Sequence, residues 1–432
     1  MITLLVLTAV VAAMIWDRVR SDVVALAGAA VLLITGVVRP IQVQSAFASP
    51  AIVSLASLFV IAYAMELSGL LDASISGLVR LCRRIGRAGL WLVVLLAGGA
   101  SAFLNNTPIV ILSAPMVRDA ARSLDLSPKS FLMPLSYAAV LGGCCTLIGT
   151  STNLLVNDMA AVAGQPKFGL FEITPVGVAV AAAGTLYLVL FSGKLLRSEP
   201  GKPNLSTPTI EDDLEPGLAG AQVGSARAFA TARPFRPIRA IVSLAVFAAV
   251  IALAVLDIAP IAAAAFAGAV LLILLRVITA DEAYSGLRPD VLMLIAGMLV
   301  LGIALRVSGV AGTATEALIS NLDGLSPLLA LALLYGATLF ATELLSNATV
   351  AVLFTPVGVS LAEALHVSPR PFLIAVMVAG SAAFATPFGY QTNVLVYRMG
   401  GYNYLDFVKV GLPLNLITWI VGVVAIQIYF PF

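Results

Sequence analysis

Long apolar segments alternate with short polar ones along most of the chain. In the first half the apolar segments cover residues 2–16, 23–38, 50–69, 130–160 and 174–192. In the second half they cover residues 238–256, 260–277, 290–308, 372–400 and 408–430. A helix that spans a bilayer needs about 20 mostly apolar residues. The pattern therefore predicts ten spanning helices in an all-α polytopic membrane protein.

Two further regions, residues 89–124 and 326–365, each contain two apolar limbs that are too short to cross a bilayer separately. A polar tip joins the limbs, with the sequence Leu-Asn-Asn in the first region and Leu-Ser-Asn in the second. Irregular backbone at membrane depth is tolerated only against protein or a water-filled cavity. We therefore interpret each region as a re-entrant helical hairpin whose tip lines such a cavity. The alternative is a pair of short crossings joined by a polar turn.

The polar interruptions occur twice, in matching order. FLNNTPIVILSAP at 103–115 is matched by LLSNATVAVLFTP at 344–356, and GTSTNLLV at 149–156 is matched by GYQTNVLV at 389–396. The shift is 241 residues from Asn106 to Asn347 and 240 residues from Asn153 to Asn393. Matched interruptions of apolar segments are typical of secondary transporters, whose binding site lies between two repeats. The repetition also favours hairpins over pairs of short crossings.

Each half contains five crossings, one of them broken, and one hairpin that returns to its own side. Because five is odd, the second half starts on the opposite membrane face, and the two repeats are predicted to be inverted. The first repeat covers residues 1–193, with its broken helix at 130–160. The second covers residues 240–432, with its broken helix at 372–400. Residues 194–239 between them are a polar linker that contains several prolines and glycines.

Basic residues predict the orientation of the chain. Four of the 24 Lys and Arg residues lie on the N-terminal side of the predicted membrane, namely Arg39, Lys167, Arg306 and Arg370. The remaining 20 lie on the other side, which is therefore expected to be cytoplasmic. We expect both termini outside a bacterial-type inner membrane and the linker in the cytoplasm.

Composition and charge exclude several classes of function. Hydrophobic residues make up 60% of the 432 residues and charged residues 11%, with a mean hydropathy of +1.05, far from the values of a soluble domain. His366 is the only histidine, which rules out a His-centred triad, and the three cysteines lack metal-ligand spacing. A net charge of +2 gives no sign of a nucleic-acid partner. We expect a protein that is not an enzyme and whose transport energy comes from an ion gradient.

A hairpin tip and a broken helix each present free backbone ends. N-terminal N–H groups suit an anion, and C-terminal carbonyl groups suit a cation. Polar side chains at these places coordinate sodium through oxygen and donate to an oxyanion through amides and hydroxyls. In the first half they are Ser101, Asn105, Asn106 and Thr107 at the tip, and Thr146, Gly149, Thr150, Ser151, Thr152 and Asn153 at the break. In the second half they are Thr342, Ser346, Asn347 and Thr349 at the tip, and Thr386, Gly389, Gln391, Thr392 and Asn393 at the break.

The alternative is that these side chains only cap helices or bond to neighbouring helices. For any single residue that alternative is as good as a binding role. Four clusters in two matched pairs favour a binding site.

Glu343 is the acidic residue nearest to a predicted membrane midplane, and the 241-residue shift places Ala102 at the matching position. A carboxylate inside a membrane is costly and is therefore a functional candidate. We identify Glu343 as a candidate for coupling, either as an indirect partner of a cation site or as a proton carrier. The alternative is a structural carboxylate that accepts hydrogen bonds from neighbouring N–H groups.

The two tips and two breaks together resemble a known family of transporters. LNNTP, GTSTN, LSNAT and GYQTN are similar to the paired hairpin signatures and helix breaks of the divalent anion/sodium symporters in the ion transporter superfamily. TELLSNATV and TPFGYQTNVLVYRMGGYNYLDFVKVGLP resemble its sulfate-permease branch in particular. The resemblance covers nearly the whole chain apart from the linker, which stands where members of that branch often carry regulatory domains.

The resemblance implies a homodimer in which a transport part moves like an elevator against a scaffold. It implies two or more sodium ions, held between each tip and its break. The implied ligands are Ser101, Asn105, Asn106 and Gly149 for sodium site one, and Thr342, Ser346, Asn347 and Thr386 for sodium site two. The substrate would contact Asn106, Thr107, Asn347 and Thr392, with Thr152, Asn153, Thr349 and Asn393 as further candidates.

The tips depart from the Ser-Asn-Thr sequence that is frequent in the family. The first tip is Asn-Asn-Thr, and the second is Ser-Asn-Ala with Ala348 at its end. Because the hydroxyl at this position is absent, we favour a small anion. The expected function is sodium-coupled import of a divalent oxyanion, with sulfate first and a C4-dicarboxylate second. The rivals are an arsenite exporter or sodium/proton antiporter of the same superfamily, and a membrane sensor that does not transport.

Overall fold

The computed structural model describes residues 2–16, 19–70, 73–74, 77, 85–196, 234–256, 258–309 and 326–432. Within these ranges the regular structure is helical, without a β-strand. Six of the described helices are long and apolar enough to cross a membrane. The predicted all-α polytopic architecture is therefore confirmed. Most of the predicted linker, residues 194–239, lies outside the described residues, and the division into repeats stays a prediction.

The described part of the first half consists of helices that follow one another closely. They are α1 (Ile2–Trp16), α2 (Ser21–Ile34), α3 (Pro40–Phe47), α4 (Pro50–Leu67), α5 (Arg87–Ser101), α6 (Asn106–Ser123), α7 (Lys129–Gly143), α8 (Ser151–Val162) and α9 (Thr174–Tyr187). The last of these continues as a π-helix at Leu188–Ser192 and a short helix at Gly193–Leu195.

The described part of the second half repeats this order of elements. Its helices are α10 (Pro237–Val255), α11 (Ile261–Leu274), α12 (Ala280–Gly286), α13 (Pro289–Val307), α14 (Pro327–Ala341), α15 (Asn347–Ala364), α16 (Arg370–Ala379), α17 (Gln391–Gly400) and α18 (Tyr404–Tyr429). Helices α5 and α6 form the first hairpin, and α14 and α15 form the second. We call residues 144–150 the first break and residues 380–390 the second break.

The structure corrects three expectations. First, the breaks begin earlier than predicted, so Thr152, Asn153, Thr392 and Asn393 lie in the first helical turn after each break. Second, α15 has 18 residues and is long enough to cross a membrane, so the length of this limb does not distinguish re-entry from crossing. Third, α3 and α12 were not predicted, because they are too short and polar to register as apolar segments.

Both short helices have strong local start signals. In α12, the Thr279 hydroxyl accepts from the Glu282 N–H group over 3.2 Å, and the Glu282 carboxylate accepts from the Thr279 N–H group over 2.7 Å. This reciprocal capping box bonds two of the N–H groups that a helix start leaves free. In α3, Pro40 occupies the first helical position, where its missing N–H group costs nothing.

Helices of the two halves pack against each other in a reciprocal pattern. Helix α2 packs against α13, and its counterpart α11 packs against α4, the counterpart of α13. A close approach is possible because Gly297 in α13 faces Ala25 in α2, where a Cβ atom on the glycine would lie 2.8 Å from a backbone carbon. Each half therefore depends on the other for its buried surface.

The last helix of each half supports the neighbouring break through a glycine. A Cβ atom at Gly177 in α9 would lie 2.4 Å from the Cys144 carbonyl oxygen, and one at Gly411 in α18 would lie 1.9 Å from the Phe384 carbonyl oxygen. Real Cβ atoms cannot approach oxygen so closely. Glycine at these two places lets the irregular backbone of each break lie against a helix rather than lipid.

Candidate functional site

Each break is attached to the tip of its own hairpin by a threonine. Thr146 Oγ1 donates to the Ala102 carbonyl group, and Thr386 Oγ1 donates to the Glu343 carbonyl group over 3.2 Å. The same two hydroxyls each accept from the N–H group three residues further on, at 3.1 Å in both halves. Tip and break are thus joined by the same hydrogen bonds in each half.

An asparagine after each break holds the break in shape. Asn153 Nδ2 donates to the Thr146 carbonyl group over 2.9 Å. Asn393 Nδ2 donates to the carbonyl groups of Ala383 and Thr386 over 2.9 and 3.3 Å. Both asparagines are fully buried. Their amides donate to carbonyl groups that the interrupted helices leave without a partner. Both asparagines therefore hold the backbone of the breaks in position.

The tip asparagines are oriented by hydroxyls of the preceding limb. Ser101 Oγ donates to Asn106 Oδ1 over 2.5 Å, and Thr342 Oγ1 donates to Asn347 Oδ1 over 2.8 Å. Thr342 also donates to the Gly380 carbonyl group at 2.9 Å. These predicted sodium ligands therefore come together around one carboxamide oxygen in each half.

The residue before each tip asparagine is a helix N-cap. Asn105 Oδ1 accepts from the Thr107 N–H group over 3.1 Å, and Ser346 Oγ accepts from the Thr349 N–H group over 3.3 Å. Thr349 is 1% exposed, and its hydroxyl also contacts the sulfur of Met14. Its side chain is therefore occupied within the protein.

Oxygen atoms converge at the first tip in the manner that a hard cation requires. A Cβ atom at Gly149 would lie 2.4 Å from the Gly143 carbonyl oxygen and 3.0 Å from the Ala102 carbonyl oxygen. The Ser101 hydroxyl and the Asn106 carboxamide oxygen adjoin the same tip. These carbonyl, hydroxyl and carboxamide oxygens are uncharged ligands, which fits a sodium ion.

The first hairpin also contacts the second break directly. Asn106 Nδ2 donates to the Tyr390 hydroxyl over 2.8 Å, and Thr107 Oγ1 lies 3.3 Å from Gln391 Oε1. These contacts bring the N-terminal ends of α6 and α17 together. Both ends direct N–H groups and positive dipole ends into the same region, which favours an anion there.

Glu343 binds the backbone of the second break. Its Oε1 atom accepts from the N–H groups of Phe384 and Ala385 over 2.8 and 2.7 Å, and its Oε2 atom accepts from the Thr386 N–H group over 2.9 Å. Asn415 Nδ2 donates a fourth hydrogen bond to Oε1 over 2.7 Å. All four partners donate hydrogen bonds to Glu343. An ionised carboxylate can accept all of them, whereas the O–H group of a carboxylic acid would itself be a donor. The observed bonds are those of a structural carboxylate.

The two tips lie in different surroundings. Phe103 in the first tip is partly buried and packs edge-to-face on Phe171, whereas Leu344 at the matching place in the second tip is 85% exposed. A small cleft with a volume of about 40 Å³ lies beside the first tip. Its lining combines apolar side chains of α4 and α10 with Asn105, Gly149 and Ser151.

Three polar side chains at the site were missed in the sequence, namely Tyr390, Asn415 and Ser136, whose hydroxyl hydrogen-bonds the side chains of Thr392 and Asn393. Tyr390 lies within the GYQTN break and could have been found by comparing it with Thr150 at the matching position. Ser136 and Asn415 lie in apolar helices, and no local pattern distinguishes them from packing residues.

Comparison with known proteins agrees with this architecture. A family model described as citrate transporter matches residues 11–357 and 342–432. An uncharacterized transporter of Synechocystis is 25% identical over 582 aligned positions, which cover 96% of this chain and 95% of that protein. A probable sodium/sulfate cotransporter 3 of Chlamydomonas reinhardtii is 47% identical over 103 residues, covering 22% of this chain and 12% of that protein.

A solved structure shares the fold. The YdaH transporter of Alcanivorax borkumensis, whose structure is described as having an unusual topology, superposes with a TM-score of 0.59 at 16% identity. The match covers 90% of this chain and 88% of the other.

Proposed function

The chain belongs to the citrate transporter family, among the divalent anion/sodium symporters, and on that premise we propose that it imports a small divalent oxyanion together with sodium. The observation that carries the proposal is the pair of tips and breaks with matching hydrogen bonds in both halves. Such a pair provides cation sites at the carbonyl oxygens and an anion site at the helix N-termini.

Sulfate is the first candidate for the substrate. The relative that is 47% identical over 103 residues is named as a sodium/sulfate cotransporter. Ala348 supplies no hydroxyl at the second tip, which leaves fewer donors for a larger anion. A C4-dicarboxylate is the second candidate.

Sodium is required by the electrostatics of the site. Neither tip contains a Lys or Arg residue, and the second tip contains the Glu343 carboxylate, so a dianion between them has only dipoles, amides and hydroxyls to replace its hydration. Sodium ions at Ser101 and Asn106, and at Thr342 and Asn347, supply the missing positive charge. Ion and anion then strengthen each other's binding reciprocally.

At the second tip Asn347 contacts both ion and anion, and at the first tip Asn106 contacts the ion through its carboxamide oxygen. Thr152, Asn153, Thr392 and Asn393 shape the breaks that hold the remaining ligands. The protein works as a homodimer with both termini outside, and the two hairpins and broken helices move together against the scaffold formed by α2, α4, α11 and α13.

Uptake into proteoliposomes tests this proposal. We expect radiolabelled sulfate to accumulate under an inward sodium gradient, and anion affinity measured by isothermal titration to fall by about tenfold, or about 1.4 kcal/mol, when choline replaces sodium. Uptake driven by a pH gradient alone, with equal affinity in sodium and choline, would refute sodium coupling and make Glu343 the leading candidate for a proton carrier. The absence of any uptake, with preserved anion binding, would favour a sensor.

A further inference from the structure

The last position of each break, immediately before the helix that follows, carries a different residue in the two halves. Thr150 precedes α8 and Tyr390 precedes α17. Their backbones are nearly the same, with φ and ψ of −139° and 145° at Thr150 and of −141° and 142° at Tyr390. The difference is therefore in the side chain alone, a small hydroxyl in one break and a phenol in the other.

The phenol of Tyr390 reaches across to the first half. Its hydroxyl accepts from Asn106 Nδ2 over 2.8 Å. Tyr390 thus lies against the tip of the first half.

The two tip asparagines consequently differ in what they can still bind. Asn106 is 1% exposed, and both ends of its carboxamide are bonded, to Ser101 and to Tyr390. Asn347 is bonded only at its oxygen, by Thr342 at 2.8 Å. Among the described residues, none accepts from Asn347 Nδ2, and this residue is only partly buried. Free donor capacity therefore lies at the second tip.

We propose that Tyr390 determines which anions the site accepts, by filling the half of the site at the first tip and confining the anion to the half at Asn347. The inference rests on the proposed function. The oxygens of sulfate surround a single atom, so one tip and its helix N-terminus serve all of them. The two carboxylates of a C4-dicarboxylate are separated by a carbon chain and need donors at both tips, one of which is occupied by the phenol.

Tyr390→Thr, which copies Thr150, tests the proposal in proteoliposomes with sodium present. We expect the ratio of succinate uptake to sulfate uptake to rise by about tenfold, corresponding to about 1.4 kcal/mol. Tyr390→Phe keeps the ring and removes the hydroxyl, so it should still exclude succinate. The matched control is Tyr397→Thr in the same helix, whose ring packs on Phe388 and Phe407 and which should leave the ratio unchanged.

The outcomes separate this inference from the proposed function. If the unmodified protein takes up neither anion, the proposed function is wrong and the variants are not needed. If it takes up sulfate and Tyr390→Thr leaves the ratio unchanged, or Tyr390→Phe admits succinate equally well, the role of the ring is refuted. Each variant must elute as a monodisperse peak, and Tyr390→Ser replaces Tyr390→Thr if the latter does not.

Discussion

Ser136 in α7 donates a 2.7 Å hydrogen bond to the Asn393 carboxamide oxygen in α17, across the two halves of the protein. The Thr392 hydroxyl lies 2.7 Å from the same serine. Since the carboxamide oxygen can only accept, Ser136 must give its proton to Asn393 and accept from Thr392. The counterpart of α7 in the second half is α16, which has only apolar side chains after Arg370. The counterpart of Asn393 in the first half is Asn153, and its Oδ1 atom accordingly has no partner among the described residues.

Ser136→Ala should destabilise the protein by about 1–3 kcal/mol, because it leaves the buried Asn393 oxygen without its donor. Thermal unfolding in nanodiscs measures the change. Ser113→Ala is the matched control, since the Ser113 hydroxyl bonds only a carbonyl group of its own helix, four residues earlier. Equal melting temperatures for the two variants would mean that the bond between the halves contributes nothing.

Glu343→Gln should lower stability and uptake together. The glutamine NH2 group would face N–H donors of Phe384, Ala385 or Thr386, at a cost of about 1–3 kcal/mol for each unsatisfied group. Thermal unfolding and sulfate uptake are measured with Glu363→Gln, an exposed position, as the control. A stable Glu343→Gln variant whose uptake has lost its pH dependence would instead identify a proton carrier.

Asn106→Ala and Asn347→Ala should each abolish sulfate uptake in a folded protein, because Asn106 is proposed to hold a sodium ion and Asn347 to contact ion and anion together. Uptake is compared with that of Asn403→Ala, which alters the exposed N-cap of α18 far along the chain from both tips. Near-normal uptake by either tip variant would overturn the site assignment.

The inversion of the repeats is testable at two matched positions. Arg122 and Glu363 are both exposed, lie in the last turn of α6 and α15, and are 241 residues apart. In a cysteine-free background, a membrane-impermeant thiol reagent added to intact cells should label Glu363→Cys and spare Arg122→Cys. Labelling of both positions from the same side would show that the repeats are parallel.

Apolar segment length and the repeated motifs suffice to predict the long helices and the approximate places of the two breaks, but not α3 and α12. These features are local: the burial demanded by a bilayer determines the length of each apolar segment, and polar residues at a helix end reveal where a helix stops. For the same reason, the tip residues Ser101, Asn106, Thr342 and Asn347 could be selected before their contacts were known.

The tertiary structure alone decided how these groups are used. Tyr390 meets Asn106 across 284 residues of sequence, and Ser136 meets Asn393 across 257. The four donors that surround Glu343 come from the second break and α18, and no local pattern around Glu343 indicates them. Whether a buried polar atom is satisfied depends on which distant group packs against it. A repeated sequence pattern therefore predicts two equivalent sites, and the partners brought in by folding make them different.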